Sequence, residues 1–349
     1  MGDIPSSKPK PRNSSTHGND ESSKAEGEVV RARFTFSDIF AGAGGGRFAL
    51  ERLEGRCVFS CELDKFAQRT YQANFGETPY GDIFDVSPKS VPPHNILFAG
   101  FPCQPFSHAG KGKGLRDPRA QVIFPLFEVI EVAKPSAFIL ENVNGLLGKR
   151  HVHSLQYILG VLTKELGYYI PPVQTLKASD FGLAQKRERV FIVGFRKSLG
   201  VEGFSYPEKG NDRSKISDIL EPSHSVGQWL LTKKSLACLR DHSSKQKLAG
   251  NGHGYAILDE NELANCLAVG GMGWTRNLIV DVSAMRTSLE QNTEGIRRMT
   301  PREWARLQGF PDSFTFPVSA TQAFKQLGNA VAVPVIEALA KQVLDALGL

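Results

Sequence analysis

From residue 34 onward, short apolar runs closed by glycine, proline or an acid alternate with stretches whose apolar residues recur every third or fourth place. Phe34-Thr35-Phe36-Ser37-Asp38-Ile39-Phe40 reads as a strand that runs straight into Ala41-Gly42-Ala43-Gly44-Gly45-Gly46. Phe48, Ala49, Leu50 and Leu53 then mark a helix, and residues 58–62 a second strand ending in Glu62. Residues 65–74 predict a helix with Phe66, Thr70 and Tyr71 on one side, and Gly81-Asp82-Ile83 closes a third short unit. Ile96-Leu97-Phe98, bounded by Pro92-Pro93 and Gly100, predicts a buried strand. The rhythm continues with a helix over 122–132, a strand over 137–143 carrying Glu141, an amphipathic helix over 155–166 and a strand over 190–195. Strand, glycine turn, helix, strand and acid is the opening of an adenosine- or dinucleotide-binding α/β sheet.

The pattern fails at both ends of this region. Residues 1–32 are rich in Ser, Pro, Lys, Glu, Asn and Gly and nearly free of large apolar groups, which predicts a disordered tail. Residues 196–297 are loop-rich, show no βαβ alternation, and are expected to form a smaller inserted domain. Residues 298–323 form a hinge and helix region in which Thr300 can cap a helix, Pro301 open it and Glu303 close a capping box. Residues 324–349 hold Gln326-Leu327-Gly328-Asn329-Ala330-Val331 and a long apolar helix, and are expected to complete the 33–195 domain.

Composition narrows the class only modestly. With 349 residues, 41% hydrophobic and 22% charged, the chain suits a soluble protein of one large core or two domains. It holds neither an apolar run of bilayer length nor a signal-peptide pattern, so a cytoplasmic protein with no membrane partner is expected. The formal charge of +6 is compatible with a polyanionic partner without requiring one. The five cysteines (57, 61, 103, 238 and 266) are scattered and odd in number, which suits neither a disulfide framework nor a zinc site.

Chemistry concentrates at the predicted strand ends. Ala99-Gly100-Phe101-Pro102-Cys103-Gln104 holds a thiol at the carboxyl edge of the sheet, where open α/β proteins bind ligands. Pro102 fixes its own backbone and restricts Phe101, so the sulfur is aimed. Glu141 ends another strand and can face the same crevice, there to share a proton with a ligand ring nitrogen or to serve as a sheet-end cap. Arg187 and Arg189 alternate before a strand, which puts both on one face, either solvated or contacting phosphate or base. Gly44-x-Gly46-x-x-Ala49, with Glu62 downstream to take ribose hydroxyls, fits a relaxed nucleotide fingerprint shared by nicotinamide, flavin and S-adenosylmethionine enzymes.

Taken in order, six segments resemble the DNA (cytosine-5) methyltransferases of bacterial modification type. They are Asp38-Ile39-Phe40-Ala41-Gly42-x-Gly44-Gly45, Gly100-Phe101-Pro102-Cys103-Gln104, Glu141-Asn142-Val143, Gln185-Lys186-Arg187-Glu188-Arg189, residues 298–311 and Gly328-Asn329-Ala330-Val331. The resemblance covers roughly residues 34 to 348. It implies a Rossmann-like methyltransferase domain with a mixed, mostly parallel sheet, plus a smaller loop-rich target-recognition domain. It implies Cys103 as nucleophile toward cytosine carbon 6, Glu141 on ring nitrogen 3 and the amino group, Arg189 on the base oxygen, and Arg187 steadying the site. S-adenosyl-L-methionine would be the cofactor, and no metal is implied. Its contacts would be Phe40, Ala41, Gly42, Gly44, Gly45, Glu62, Leu63, Asp82, Ile83, Pro102, Asn329 and Val331.

Leu63 departs from the family, which often carries an aromatic residue there to stack on adenine. Chemistry on a stacked base requires base flipping, and residues 110–119, with Lys111, Lys113, Arg116 and Arg119, are expected to close over the extruded base as a flap. Gly250-Asn251-Gly252-His253-Gly254-Tyr255 and Leu267-Ala268-Val269-Gly270-Gly271 look like members that modify the inner cytosine of CC…GG palindromes, although generic loop glycine explains them as well. The expected partners are double-stranded DNA and a cognate restriction endonuclease, with the protein a monomer associated with the nucleoid of a bacterium. Three other readings compete. A tRNA methyltransferase shares the chemistry, and the long insertion argues for duplex DNA. A nicotinamide oxidoreductase leaves Cys103, Glu141 and residues 185–189 unexplained. A catalytically dead DNA-binding protein conflicts with the full set of catalytic residue types.

Overall fold

A computed structural model of the chain describes residues 32–102, 117–212, 214–250, 254–269, 273–285 and 291–349. The chain enters order at β1 (Phe34–Ile39), followed by α1 (Gly45–Glu51), β2 (Gly55–Cys61) and α2 (Lys65–Phe75). α1 lies so close to its surroundings that a Cβ on Gly46 would stand 2.4 Å from the Phe98 ring and one on Gly44 2.2 Å from that of Phe75. Close helix packing thus accounts for glycine at both positions. Asp64 caps α2 by accepting from the Phe66 and Ala67 amides, and the helix stops at Gly76 with φ 76°. The face that α2 buries is Ala67, Thr70 and Tyr71. Phe66, expected beside Thr70 and Tyr71, is instead 40% exposed under the Arg69 guanidinium, because it sits one position off that face.

β3 (Ile96–Gly100), α3 (Ile123–Ala133) and β4 (Ala137–Val143) follow. α4 (Val152–Gly160) starts three residues earlier than its apolar spacing suggests and ends in a π-helical turn, Val161–Glu165. β5 (Tyr168–Tyr169), β6 (Gln174–Lys177), β7 (Gln185–Lys186) and β8 (Glu188–Arg196) complete this half. The main sheet runs β2-β1-β3-β4-β8-β5, with β6 also on β8. Its first four strands are parallel, and β8 runs antiparallel to β4, β5 and β6. The Rossmann-like α/β architecture expected from the alternation is present.

Strict alternation assigns the strand residues to two cores. Phe34, Phe36, Ile96, Phe98, Ile139, Phe191 and Val193 pack on one face, and Ile39, Leu97, Phe138, Leu140, Val190 and Ile192 on the other. Both faces are covered, so the strands read as continuous apolar runs.

Beyond β8 the elements shrink. α5 (Lys233–Leu248) is followed by β9 (Ile257–Leu258), β10 (Ala264–Asn265), β11 (Leu278–Val280) and β12 (Ile296–Arg298). β9, β11 and β12 form a three-stranded sheet, while β10 pairs with β7 and ties this stretch to the main body. α6 (Pro301–Leu307) has the expected capping box, with the Thr300 hydroxyl accepting from the Glu303 amide and the Glu303 carboxylate from the Thr300 amide. α7 (Ala320–Asn329) and α8 (Val333–Leu347) close the chain, α8 packing into the first core. Residues Ala32–Leu349 cluster as one compact unit.

Candidate active site

A cavity of about 460 Å³ opens at the carboxyl ends of β1 to β4. That size lies in the range of small-molecule sites. One wall is the turn after β1, where Phe40 has φ 59° and Gly42 φ 56°. A bulky residue in the left-handed region is held there against its preference, and such outliers cluster at binding sites. The turn is fastened by the Ala41 amide donating to the Cys61 carbonyl at 2.9 Å and the Gly44 amide to Ala41 at 2.8 Å.

Glu62, just past β2, spans the turn from the opposite side. Its Oε2 accepts from the Gly42 amide at 2.8 Å and its Oε1 from the Asp64 amide at 2.7 Å. Burial pushes its carboxyl up from the ordinary range, and these amides partly offset the shift. Each carboxylate oxygen has acceptor capacity beyond the one amide it takes, and Glu62 lines the cavity, an arrangement suited to ligand hydroxyls. Leu63 lines the cavity and is 66% exposed, which leaves an apolar surface for a flat ligand to cover. Asp82 caps the turn Ile83–Asp85, and both Asp82 and Ile83 line the same wall.

The second half of the cavity is carried by β3, β4 and β8. Gly100 pairs with Glu141, and a Cβ on Gly100 would lie 3.5 Å from Glu141 Oε2. Asn142 donates from Nδ2 to the Phe101 carbonyl at 3.1 Å, which tethers the exit of β3 beside Glu141. Pro102 lines the cavity, and Cys103 follows it in sequence. Glu141 Oε1 and Arg189 Nε form an ion pair at 3.0 Å, but the N–H is not aimed along that line, so Oε1 accepts no hydrogen bond among the described residues. Glu141 therefore presents a buried acceptor whose charge is balanced and whose lone pair is unspent. Arg187, 2% exposed, donates to the Gly328 and Ala330 carbonyls at the end of α7. Both guanidinium groups also reach Cys266 Sγ at 3.8 Å, so Arg187 and Arg189 share a face as their alternation predicts.

Phe40, Gly42, Glu62, Leu63, Asp82, Ile83, Pro102, Glu141, Arg187, Arg189 and Asn329 all line this one cavity. Ala41, Gly44, Gly45 and Val331 do not. Gly45 faces Val331 and Phe310, Gly44 faces Phe75 and Tyr71, and Ala41 is buried and serves through its backbone. Cys103 lies outside the described residues, as do the tail 1–31, flap residues 110–116 and parts of the glycine-rich stretches, 251–253 and 270–272. Arg119, at the described end of the stretch expected to act as a flap, pairs with Asp117 at 2.7 Å.

Sequence reading passed over Asp64, Lys325 and Gln326, all lining residues. Lys325 Nζ meets Asp64 Oδ2 at 2.6 Å, and Gln326 Oε1 accepts from the Thr70 hydroxyl at 2.8 Å. For Lys325 and Gln326 the one signal available was their place just ahead of Gly328-Asn329, and for Asp64 its place two residues after Glu62. Burial works against ionisation of Asp64, but bonds from Lys325 and the Phe66 and Ala67 amides outweigh it and hold the carboxyl below its usual value. Behind the turn, Asp38 is fully buried, accepts from the Arg47 amide at 3.2 Å on Oδ2, and among the described residues has no hydrogen-bond partner for Oδ1. Burial raises its carboxyl to about 7. Among the described residues no cluster of side chains could hold a metal, and no helix is long and apolar enough to cross a membrane.

The model of the C-5 cytosine-specific DNA methylase family matches residues 34–345. The chain belongs to this family. The methylase is 47% identical over 327 residues to Type II methyltransferase M.HpaII of Haemophilus parainfluenzae, covering 91% of each chain. It is 40% identical over 320 residues to M.DsaV of Dactylococcopsis salina, covering 91% of this chain and 88% of the relative. In fold it is similar to the Entamoeba histolytica methyltransferase EhMeth (TM-score 0.70, 21% identity, 89% of this chain and 98% of that one). It is also similar to Dnmt2 of S. pombe (TM-score 0.67, 20% identity, 91% and 100%). The methylase is thus a DNA (cytosine-5) methyltransferase of the restriction–modification type, with S-adenosyl-L-methionine as its cofactor. The cavity fits that molecule in kind. It offers an acid bridging two amides for hydroxyls, an exposed aliphatic surface, and amide donors from α7.

Proposed function

We propose that the cavity binds S-adenosyl-L-methionine at its Glu62–Leu63–Asp82 end and a flipped cytosine of duplex DNA at its Glu141–Arg189 end. The observation that carries this reading is Glu141 Oε1, a buried and charge-balanced acceptor with no hydrogen bond among the described residues, in the same cavity as the strained Phe40–Gly42 turn. A cytosine amino group or a protonated ring nitrogen 3 supplies the missing donor.

Cytosine carbon 5 is a poor nucleophile while the ring is aromatic. Addition of the Cys103 thiolate to carbon 6 breaks aromaticity and pushes an electron pair toward nitrogen 3 and the carbonyl. With nitrogen 3 protonated and bonded to Glu141, the electron pair arriving there neutralises that positive charge instead of building an anion. The amino group donates to the same carboxylate, and Arg189 stabilises charge at the base oxygen. Arg187 acts through position, because its guanidinium is spent on α7 carbonyls beside Asn329. The bound cofactor supplies an electrophilic methyl group on a sulfonium. Once carbon 5 carries the methyl, solvent water takes its remaining proton, and the electron pair of that C–H bond expels the thiolate from carbon 6 to restore the ring. Asn142 keeps the β3 exit, and with it the start of the Cys103 loop, beside Glu141.

The finer assignments belong to the same proposal. Residues 196–297 form the target-recognition region, and the target is a CC…GG site. The enzyme acts as a monomer in the cytoplasm, and its partner is an endonuclease cutting the same sequence. The family resemblance of residues 250–255 and 267–271 supports the target region and its site, and the Type II relatives support the endonuclease partner.

Two measurements test the mechanism. Cys103→Ala is expected to abolish tritium transfer from labelled cofactor to DNA while cofactor binding persists, and normal turnover would reject it. DNA carrying 5-fluorocytosine at the target is expected to give a band shift on a denaturing gel, because fluorine blocks the final elimination. Methylation mapping of a treated plasmid reads the target, and modification outside CC…GG sites removes that assignment.

A further inference from the structure

Two neighbouring arginines on β12 are used in opposite ways. Arg297 is fully buried and spent on Glu303 and Asp281. Arg298 turns to the other face of the strand, as alternation requires, and pairs across the sheet with Leu278. Its guanidinium lies over the Trp274 ring, 3.4 Å from the centroid, and makes no hydrogen bond or ion pair among the described residues. The side chain is half-buried with its Nε enclosed, so the two terminal nitrogens are the donors left for a ligand. Burial pulls the group down from its ordinary basicity, and no carboxylate acts against that.

Trp274 stands in the turn Gly273–Arg276 and packs on both the main core and the small core around Leu278 and Ile296, so its ring is a fixed platform. Two close approaches tie that platform to the rim of the cavity. A Cβ on Gly273 would lie 2.3 Å from the Ala268 carbonyl oxygen, and one on the cavity-lining Gly328 would lie 2.7 Å from the Val269 side chain. A guanidinium stacked on an aromatic face is held in one plane. A mobile arginine can grip a phosphate from many directions, whereas guanine offers O6 and N7 side by side in the plane of the base, a match for two guanidinium N–H groups fixed in that plane. Resting on the reading of residues 196–297 as the target-recognition region, we infer that Arg298 donates both terminal nitrogens to the major-groove edge of a guanine in the DNA target. Arg298 is then a specificity-determining residue one position past that stretch, and Trp274 inside it sets the plane of the fork.

Methylation mapping combined with base substitution tests this on the full-length enzyme with S-adenosylmethionine. A plasmid treated with wild type gives the target. Each guanine of a duplex carrying that target is then replaced in turn by 7-deazaguanine, which has a carbon in place of N7. At one position the replacement should slow wild-type methylation roughly tenfold, because one of the two paired acceptors is gone. Arg298→Lys keeps the charge and the ring contact but not the fork. It should lose roughly ten- to hundredfold in discrimination at that same position, keep it at the others, and no longer respond to 7-deazaguanine there. Indifference of wild type to 7-deazaguanine at every guanine overturns the assignment, whether or not the variant folds. An equal slowing of Arg298→Lys on all sites, the mark of a phosphate contact or a packing role, overturns it too, as does a variant with unchanged preferences. Wild-type methylation of cytosines in every sequence context would instead reject the target-recognition reading on which it rests.

Discussion

The central sheet and the 196–297 stretch hold their shape by different means. In the sheet, alternate residues of long strands fill two apolar cores, and polar groups are spent mainly on backbone ladders. In the later stretch the strands are two or three residues long, and buried polar side chains join what the ladders cannot. Asn292 donates to the Leu231 and Ile296 carbonyls and accepts from the Glu294 and Ile296 amides. Gln185 links three segments, donating to the Leu307 carbonyl and accepting from the Leu267 amide. Arg297, fully buried, is paired with Glu303 at 2.7 Å and Asp281 at 3.0 Å. Burial alone depresses a guanidinium, and these two carboxylates more than reverse that. Apolar packing is generic and additive, whereas a buried ionic bridge is specific and fails as a unit.

The largest expected effect follows from that bridge. Glu303→Ala leaves the buried Arg297 guanidinium with Asp281 as its one remaining carboxylate and removes the capping box, and should cost about 3–5 kcal/mol in denaturant unfolding. A loss below about 1 kcal/mol would place the bridge on a par with a surface pair and erase the contrast.

On the sheet side, the next effect is a pH dependence. The Asp38 carboxyl is raised from 3.8 to about 7 by burial, so between those values the folded chain holds a proton that the unfolded chain has released. Its contribution to stability is complete below pH 3.8 and is lost as pH rises through about 7. Asp38→Asn keeps an acceptor for the Arg47 amide and cannot titrate, so its Tm should fall less than that of wild type from pH 5 to pH 8. Glu62, shifted in the same direction, leaves a residual slope. Parallel curves for the two proteins would show that Asp38 does not titrate in this window.

Gly46→Ala probes apolar packing directly. Its Cβ would meet the Phe98 ring at 2.4 Å, and overpacking of this kind costs about 1–3 kcal/mol. The loss should appear as a lower urea midpoint with an unchanged slope. The smallest effect belongs to Lys245→Ala on the exposed half of α5, where the pair with Asp241 is fully in solvent. Its melt should be indistinguishable from wild type, and a clear drop would mean that surface charge carries weight in this stretch.

The legible parts of the molecule share one property, which is that their signals are local. Strand β4 carries Glu141 near its carboxyl end and is visible as an apolar run, and the α6 cap is visible as Thr300, Pro301 and Glu303. Phe66 misleads because one residue of phase on a helix outweighs hydrophobicity. Gly44 and Gly46 look like ligand glycines because a turn that admits a ligand and a helix that touches a ring impose the same demand for a missing Cβ.

The sequence by itself determined the alternation of strands and helices before residue 196, the family, and which acid, arginines and cysteine are proposed to carry the chemistry, because each is written in residues near one another along the chain. Tertiary structure alone decided that α7 would bring Lys325 and Gln326 onto Asp64 and Thr70 of α2, more than two hundred and fifty positions earlier. It alone decided that Arg187 would be spent on the carbonyls of Gly328 and Ala330. Such contacts depend on how the last helices close over the finished sheet, and no periodicity or spacing within a segment encodes a partner that folding supplies from the far end of the chain.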